Sequence, residues 1–247
     1  MADRVRFTEE WRGLGGIFGG RVIAALGEAA QAVPGFDVLS LAVEFSGSVG
    51  LGEAEVAVSV RHKGSRTASV ETELIQGHPR ARAVAKLARV QGEEILSAPL
   101  DVAGIPAPAD LARFEPPYRD QPWTRLVELR LLPRPEGAVT TRTWARLAEE
   151  SPAVAELDAV GRAAVLIDAM PPALFFGQRQ AAFVPTIDFT LYLRPKAPAS
   201  PDGWYLLESS IVWARDDFCM EDISLFTSAG EIVAQARQNR RVVWATG

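Results

Sequence analysis

Cysteine and histidine are nearly missing from this chain: one Cys and two His in 247 residues. The single Cys219 excludes an intrachain disulfide, and with only His62 and His78 beside it a structural zinc site is excluded too. Neither histidine stands in a metal-ligand spacing such as H-x-x-x-H, so no metal site is expected. Both lie in turn-like stretches, Arg61-His62-Lys63-Gly64-Ser65 and His78-Pro79, and read as solvated turn residues. Cys219 reads as a small buried thiol. There is no basic excess either. A net charge of −5 argues against a general nucleic-acid partner, while leaving room for a small anionic ligand held by a few local cations or amides. No apolar run approaches the ~20 residues of a membrane helix, and the first ten residues lack the apolar stretch of a secretory signal. A soluble, cytoplasmic protein without a membrane partner is the expectation.

Familiar catalytic signatures are absent as well. The nearest approach to a nucleophile elbow, Ser46-Gly47-Ser48-Val49-Gly50, has Ser where the first Gly is needed. Gly13-Leu14-Gly15-Gly16-Ile17-Phe18-Gly19-Gly20 misses the dinucleotide fingerprint because Phe18 takes the third Gly position. No phosphate-loop lysine motif occurs, and no cofactor is implied.

What the chain does have is a core and an order of elements. It is 48% hydrophobic and 23% charged, which is globular composition. Helical spacing marks 19–32, ended by Pro34-Gly35; alternating or β-branched runs follow at 38–46, 53–62, 66–76 and 81–90. Strict alternation in Val56, Val58, Val60 and in Val70, Thr72, Leu74 indicates a sheet with one covered face. Pro99, Pro106, Pro108, Pro116, Pro117 and Pro122 then crowd into a stretch that neither helix nor strand tolerates, so a linker packed over the surface is expected. Strands at 125–132 and 140–147 follow, then an apolar helix at 160–170 closed by Pro171-Pro172. Runs at 187–194, 204–213, 218–227 and 231–243 complete the chain.

The second half repeats the first. Gly20 against Asp168 and Phe45 against Leu193 are each offset by 148 residues, Ala85 against Ala234 by 149, and Ser69 against Met220 by 151. A near-constant offset is the sign of a duplicated unit. Each unit, one apolar helix followed by antiparallel strands, buries its helix in the concave face of its sheet. Two such units can join edge to edge and leave fewer open edges. The expected class is α+β, with one unit over 1–95, the Pro-rich linker over 96–122, and a second unit over 123–247.

This pattern resembles the double-hotdog acyl-CoA thioesterases of the acyl-CoA thioesterase II-like group. The matching segments are Phe18-Gly19-Gly20, Gly64-Ser65-Arg66 through Gln76, Val184-Pro185-Thr186-Ile187-Asp188-Phe189-Thr190, and Gly230-Glu231-Ile232-Val233-Ala234 through Gln238. The resemblance implies a tandem double hotdog, two helix-wrapped antiparallel sheets joined into one. It also implies acyl-CoA as substrate and a homo-oligomer. The catalytic set it implies is an Asp on the second helix, a Thr opening the next strand and a Gln on the last strand: Asp168, Thr186 and Gln238.

Such a set suits thioester hydrolysis on chemical grounds. A water must be positioned, its proton accepted, and the oxyanion offered donors; a desolvated carboxylate gains basicity, and hydroxyl and amide groups hold water. On the residues alone, however, Asp168 is equally a helix-end carboxylate in solvent or one buried with a partner. Thr186 reads as a strand-start residue and Gln238 as surface, with Gln235 close enough for a register slip to exchange the two. Arg179, Arg194 and Lys196 are either neighbours for CoA phosphates or ordinary solvated cations. By the offsets, the first-half counterparts of the three site residues are Gly20, Val38 and Arg89, none able to do the same chemistry, so one site per chain is expected. The alternatives are a non-catalytic acyl-CoA or acyl-carrier binding protein on the same scaffold, a hydratase, and a purely structural β-rich protein.

Overall fold

Alternation of apolar and polar residues produces a single dominant sheet. The computed structural model describes residues 2–135, 137–176 and 181–244. Among these, eleven strands pair antiparallel: β1 (Ala2–Phe7), β2 (Asp37–Phe45), β3 (Gly52–Lys63), β4 (Thr67–Gln76), β5 (His78–Ala88), β6 (Val127–Leu131), β7 (Thr140–Leu147), β8 (Thr186–Leu193), β9 (Tyr205–Arg215), β10 (Phe218–Thr227) and β11 (Ile232–Arg241). Their order in space is β1-β3-β4-β5-β2-β8-β11-β10-β9-β7-β6. One face carries two helices, α1 (Gly19–Ala30) and α2 (Ala159–Asp168). The other is polar, laced by pairs such as Arg82–Glu44 and Arg61–Glu71.

The duplication is visible in this order. β3-β4-β5-β2 and β9-β10-β11-β8 are the same four-strand run, meeting where β2 pairs with β8. Leu41 faces Leu191 and Val43 faces Phe189 across that seam, and all four side chains are sealed from solvent. Burying each contributes about 1.5–3 kcal/mol, which welds the two units into one core. The repeat extends to detail: β2 bulges after Val38 against β5, and β8 bulges after Thr186 against β11. Each unit also begins with a strand that pairs with its own second long strand, β1 with β3 and β7 with β9. The leading strand β1 has no counterpart in the sequence reading, because charge alternating with apolar residues over six positions is an edge-strand signal easily passed over.

The helices run antiparallel and very close. A Cβ on Gly20 would meet the Val165 Cα at 3.0 Å, so only glycine permits that approach. The same intimacy recurs at the other end, where a Cβ on Gly161 would collide with the Glu28 carboxylate. Asp158 caps α2, accepting from the Gly161 N–H at 2.8 Å, and Pro171-Pro172 prevents the helix from continuing. The apolar stretch Ala159–Phe176 is long enough to invite a membrane reading, but 67% of it is buried inside the protein, as a core helix should be.

Three local expectations are corrected. His78-Pro79 is not a turn but the start of β5; the chain reverses at Gly77, whose φ of 75° glycine adopts freely. The run 231–243 breaks after Arg241, and Val243–Trp244 pairs instead with Ala181–Phe183. The Pro-rich stretch does not merely lie on the surface, since Phe114 and Tyr118 pack against the core and lead into the buried Trp123 that follows it.

A further correction concerns which residues correspond between halves. The strand offset stays at 148 for β2 against β8 and 151 for β4 against β10 but grows to 153 for β5 against β11 rather than the expected 149, and the helices, starting at Gly19 and Ala159, are offset by 140 residues. The connection from α2 to β8 is longer than that from α1 to β2 and holds the turn Ala173–Phe176. The counterpart of Asp168 is therefore Glu28, not Gly20: each sits in the last turn of its helix against the first turn of the other. Likewise the second pair after the bulge is Leu41–Ala85 in one half and Phe189–Gln238 in the other, so Ala85, not Arg89, matches Gln238. Val38 remains the match for Thr186.

Glu28 carries a stability consequence. Burial pushes its carboxyl up from 4.5 to about 7, with the Arg21 guanidinium 3.4 Å away pulling back and the Asp158 charge pushing further up. The folded chain thus holds a proton that the unfolded chain releases near pH 4.5, and this contribution to stability is lost as pH rises to about 7. Glu28→Gln should flatten the decline, giving a melting temperature several degrees above the parent at pH 8 and nearly equal at pH 4. Thermal melts across that range measure it.

Candidate active site

The end of α2, the start of β8 and the inward face of β11 converge, and each brings one residue of the expected set. Asp168 is the last residue of α2. Its carboxyl lies deep in the protein, while the residue as a whole is half-buried. An oxygen of that carboxyl would be 2.9 Å from a Cβ on Gly19, and the carboxylate accepts from the Gly20 N–H at the first turn of α1. Glycine at position 19 leaves the space that this approach uses. Burial pushes the Asp168 carboxyl above the usual carboxylate range; the Arg240 charge and the Gly20 N–H pull it back, and Glu221 pushes it further up.

Thr186 and Gln238 touch directly. The Thr186 hydroxyl donates to Gln238 Oε1 at 3.1 Å, while the amide nitrogen faces the Glu221 carboxylate, which can only accept. Gln238 is fully buried, whereas Gln235 is exposed on the outward face, so period-2 alternation decides the register in favour of Gln238. Thr186, like Asp168, stays partly open to solvent. Asp168 and Thr186 are thus half-buried and the Gln238 amide is sealed.

Beneath lies a buried network absent from the sequence reading. Glu221, on β10 opposite Gln238, is 1% exposed. One of its oxygens accepts from Ser209 Oγ at 2.6 Å and from the Ala173 N–H at 3.1 Å. The other lies 3.1 Å from Arg240 Nε and takes a long 3.5 Å bond from Gln238 Nε2. Glu221 therefore ties Gln238 to the turn that follows α2. Arg240, two residues beyond Gln238 on the same face and 5% exposed, also donates through Nη1 to the Val184 carbonyl at 3.1 Å. The signal for both was available: Cys219, Glu221, Ile223 and Leu225 point inward together, as do Gln238 and Arg240, so alternation alone buries these charges.

Aromatic rings roof the site. Phe18, at the N-cap of α1, stacks on Trp123 at 4.1 Å between centroids; Trp123 stacks on Tyr118, and Tyr118 meets Phe175 at 6.0 Å. The Tyr118 hydroxyl senses the charges of Arg240, Asp168 and Glu221, and burial pushes its pKa up, so it stays protonated. Cys219 is also close, and burial beside Glu221 raises its thiol to about 11; it is an inert core thiol. His62 and His78 are both exposed at strand ends. Among the candidate cations, Arg194 is taken by Glu94 and Glu231. Lys196 Nζ donates to the Val90 carbonyl at 2.8 Å, and Arg179 lies outside the described residues.

The raised Asp168 carboxyl costs stability at neutral pH. Its protonated form is favoured in the fold, so its contribution is present below the unfolded value and lost as pH rises through the folded one. Asp168→Asn, which can still accept from Gly20, is expected to raise the melting temperature at pH 7.5 and leave it nearly unchanged at pH 4, measured by calorimetry.

Comparison with known proteins bears on family and fold. The family model of the acyl-CoA thioesterase N-terminal domain matches residues 7–88, and that of the acyl-CoA thioesterase C-terminal domain matches residues 99–242. No curated protein matches the sequence. Among solved structures, a conserved protein of unknown function with a hotdog fold from Alicyclobacillus acidocaldarius aligns at TM-score 0.84 and 20% identity, over 99% of this chain and 94% of its own. An acyl-CoA thioesterase II from Mycobacterium marinum aligns at 0.75 and 20% identity, covering 100% of this chain and 94% of its own. A TesB protein from Mycobacterium avium subs paratuberculosis aligns at 0.70 and 16% identity, over 97% and 96%. These likenesses establish the double-hotdog fold.

Proposed function

The chain belongs to the acyl-CoA thioesterase family, and from that premise we propose that it hydrolyses acyl-CoA thioesters to a carboxylic acid and CoA at one site, built from Asp168, Thr186 and Gln238. The observation that carries this reading is the contact of the Thr186 hydroxyl with Gln238 Oε1 beside a deep carboxyl that burial has made more basic.

Each group has a role its chemistry suits. Gln238 spends Oε1 on Thr186 and one N–H on Glu221, which leaves its second N–H for the thioester or the attacking water. Asp168 accepts a proton from that water as the water oxygen bonds to the thioester carbon, and the carbonyl π pair moves onto oxygen. When the C=O re-forms, the C–S bond breaks; the departing CoA thiolate takes the proton from Asp168, and an acid is left. A base above the usual carboxylate range serves better near neutral pH than an ordinary aspartate.

The first half cannot run a second copy. Its matching positions hold Glu28, occupied by Arg21, with Val38 and Ala85, which offer neither hydroxyl nor amide. A single site per chain follows from this asymmetry.

The test is release of free thiol from a panel of acyl-CoAs of increasing chain length. Asp168→Asn is expected to lose roughly 10³-fold in kcat, and Thr186→Val and Gln238→Ala about 10²-fold each. The acid limb of the wild-type pH profile should lie above the usual carboxylate range, with activity falling as pH drops through it. Folded protein that binds acyl-CoA and releases no thiol at any chain length would replace this reading with that of a binding protein.

A further inference from the structure

Arg240 has more donors than the fold uses. Nη1 donates to the Val184 carbonyl, and Nε makes an ion-pair contact with Glu221 that is too bent for a hydrogen bond. Nη2 is buried with no hydrogen-bond partner among the described residues, on a side chain only 6% exposed. A guanidinium held from two sides while a third edge stays empty is a poor structural solution, since every N–H of a buried arginine needs an acceptor.

Its position says what the empty edge is for. Arg240 lies directly across the β8–β11 ladder from Thr186 and shares the inward face with Gln238 two residues away. It is therefore one ladder step from both groups that would hold the water and the thioester. Its charge reaches the Asp168 carboxyl and the Tyr118 hydroxyl, and no other cation bears on Asp168 among the described residues. In the proposed hydrolysis only one atom gains negative charge without a proton to match it: the carbonyl oxygen, as the π pair moves onto it.

We propose that Arg240 is a catalytic residue, with Nη2 donating to the thioester carbonyl oxygen and stabilising the oxyanion formed on water attack, while Glu221 and the Val184 carbonyl hold the guanidinium in place. The proposal rests on the thioesterase reading and adds to it a cationic donor outside the Asp168, Thr186 and Gln238 set. A preorganised charge in a water-poor site acts most strongly where charge develops.

The competing explanation is that Arg240 only neutralises Glu221, and simple removal cannot separate the two because it strands a buried carboxylate. The experiment is therefore a cycle of wild type, E221Q, R240K and the double variant E221Q/R240M, each confirmed folded by circular dichroism and assayed for kcat and KM on one acyl-CoA. The double variant is expected to fall a further ~10²-fold or more in kcat below E221Q, with KM changed only a few-fold. R240K, which keeps the charge and can still pair with Glu221, is expected to lie between wild type and the double variant. Equal kcat in E221Q and the double variant would overturn the proposal, as would a loss confined to KM. If the double variant does not fold, R240K decides alone: wild-type kcat overturns the proposal, and a drop of tenfold or more at unchanged KM supports it. A wild-type chain that releases no thiol removes the underlying reading first, before any Arg240 variant is compared, and this proposal with it.

Discussion

Two helix ends pressed together set the terms for everything else in this protein. The last residue of α2 is a carboxylate, and the residues facing it are Gly19 and Gly20 at the opening of α1. Side chains there would push the helices apart; glycines let the Asp168 oxygen come close to the first-turn backbone and accept the Gly20 N–H. A helix N-terminus is a favourable place for a negative charge, yet burial works against that charge. The carboxyl is held between these influences, charged often enough to accept a proton and desolvated enough to want one. The sheet seam at Leu41 and Leu191 fixes the two units and so fixes this junction.

The duplication poses the same electrostatic problem twice and the chain answers it differently each time. At one junction Glu28 sits against the first turn of α2 with Arg21 on its own helix as partner. At the other, the nearest guanidinium, Arg240, is engaged by Glu221 rather than by Asp168. The first junction is closed by an ion pair and flanked by Val38 and Ala85. The second is left open, flanked by Thr186 and Gln238. The two junctions thus differ in electrostatics: the Glu28 carboxyl has an arginine on its own helix as partner, and the Asp168 carboxyl does not.

The architecture was legible because its signals are periodic. Helical spacing in 19–32 and 160–170 and alternation in β3, β4, β10 and β11 each fix a face, and a strand offset that drifts by only a few residues exposes the repeat. Asp168, Thr186 and Gln238 were found through resemblance, because nothing in their own neighbourhoods marks them: a lone Asp ending an apolar helix and a Gln between arginines are ordinary surface patterns. Glu221 and Arg240 were legible in principle, since alternation turns both inward, but a buried charge declares itself only when its partner is known, and these two lie on neighbouring strands nineteen residues apart in sequence. Tyr118 and Trp123 were hidden because prolines argue for exposed linker, and proline content reports backbone shape, not where aromatic side chains are sent. The helix offset was misjudged for a similar reason: the extra turn at Ala173–Phe176 lies between helix and strand, where periodicity has nothing to measure.

Buried polar groups without a partner carry a cost in this fold. A buried donor left unpaired costs about 1–3 kcal/mol, and a carboxyl kept above its usual range costs further in its charged form. Among the described residues such costs fall in several places: buried side-chain atoms without a hydrogen-bond partner occur on Arg240, Glu28, Thr72, Thr141 and Thr143, and burial raises the carboxyls of both Asp168 and Glu28. On the proposed thioesterase reading, the pair at Arg240 and Asp168 suits differential binding: groups left unsatisfied in the fold would find partners as charge develops on the reacting atoms, so the gain would arrive at the transition state rather than at ground-state binding. Aromatic rings above and an ion pair below keep these groups from relaxing onto one another. The Thr186–Gln238 contact and the Glu221 hydrogen bonds to Ser209 and the Ala173 N–H tie the start of β8, the inward faces of β9, β10 and β11 and the turn after α2 into one network.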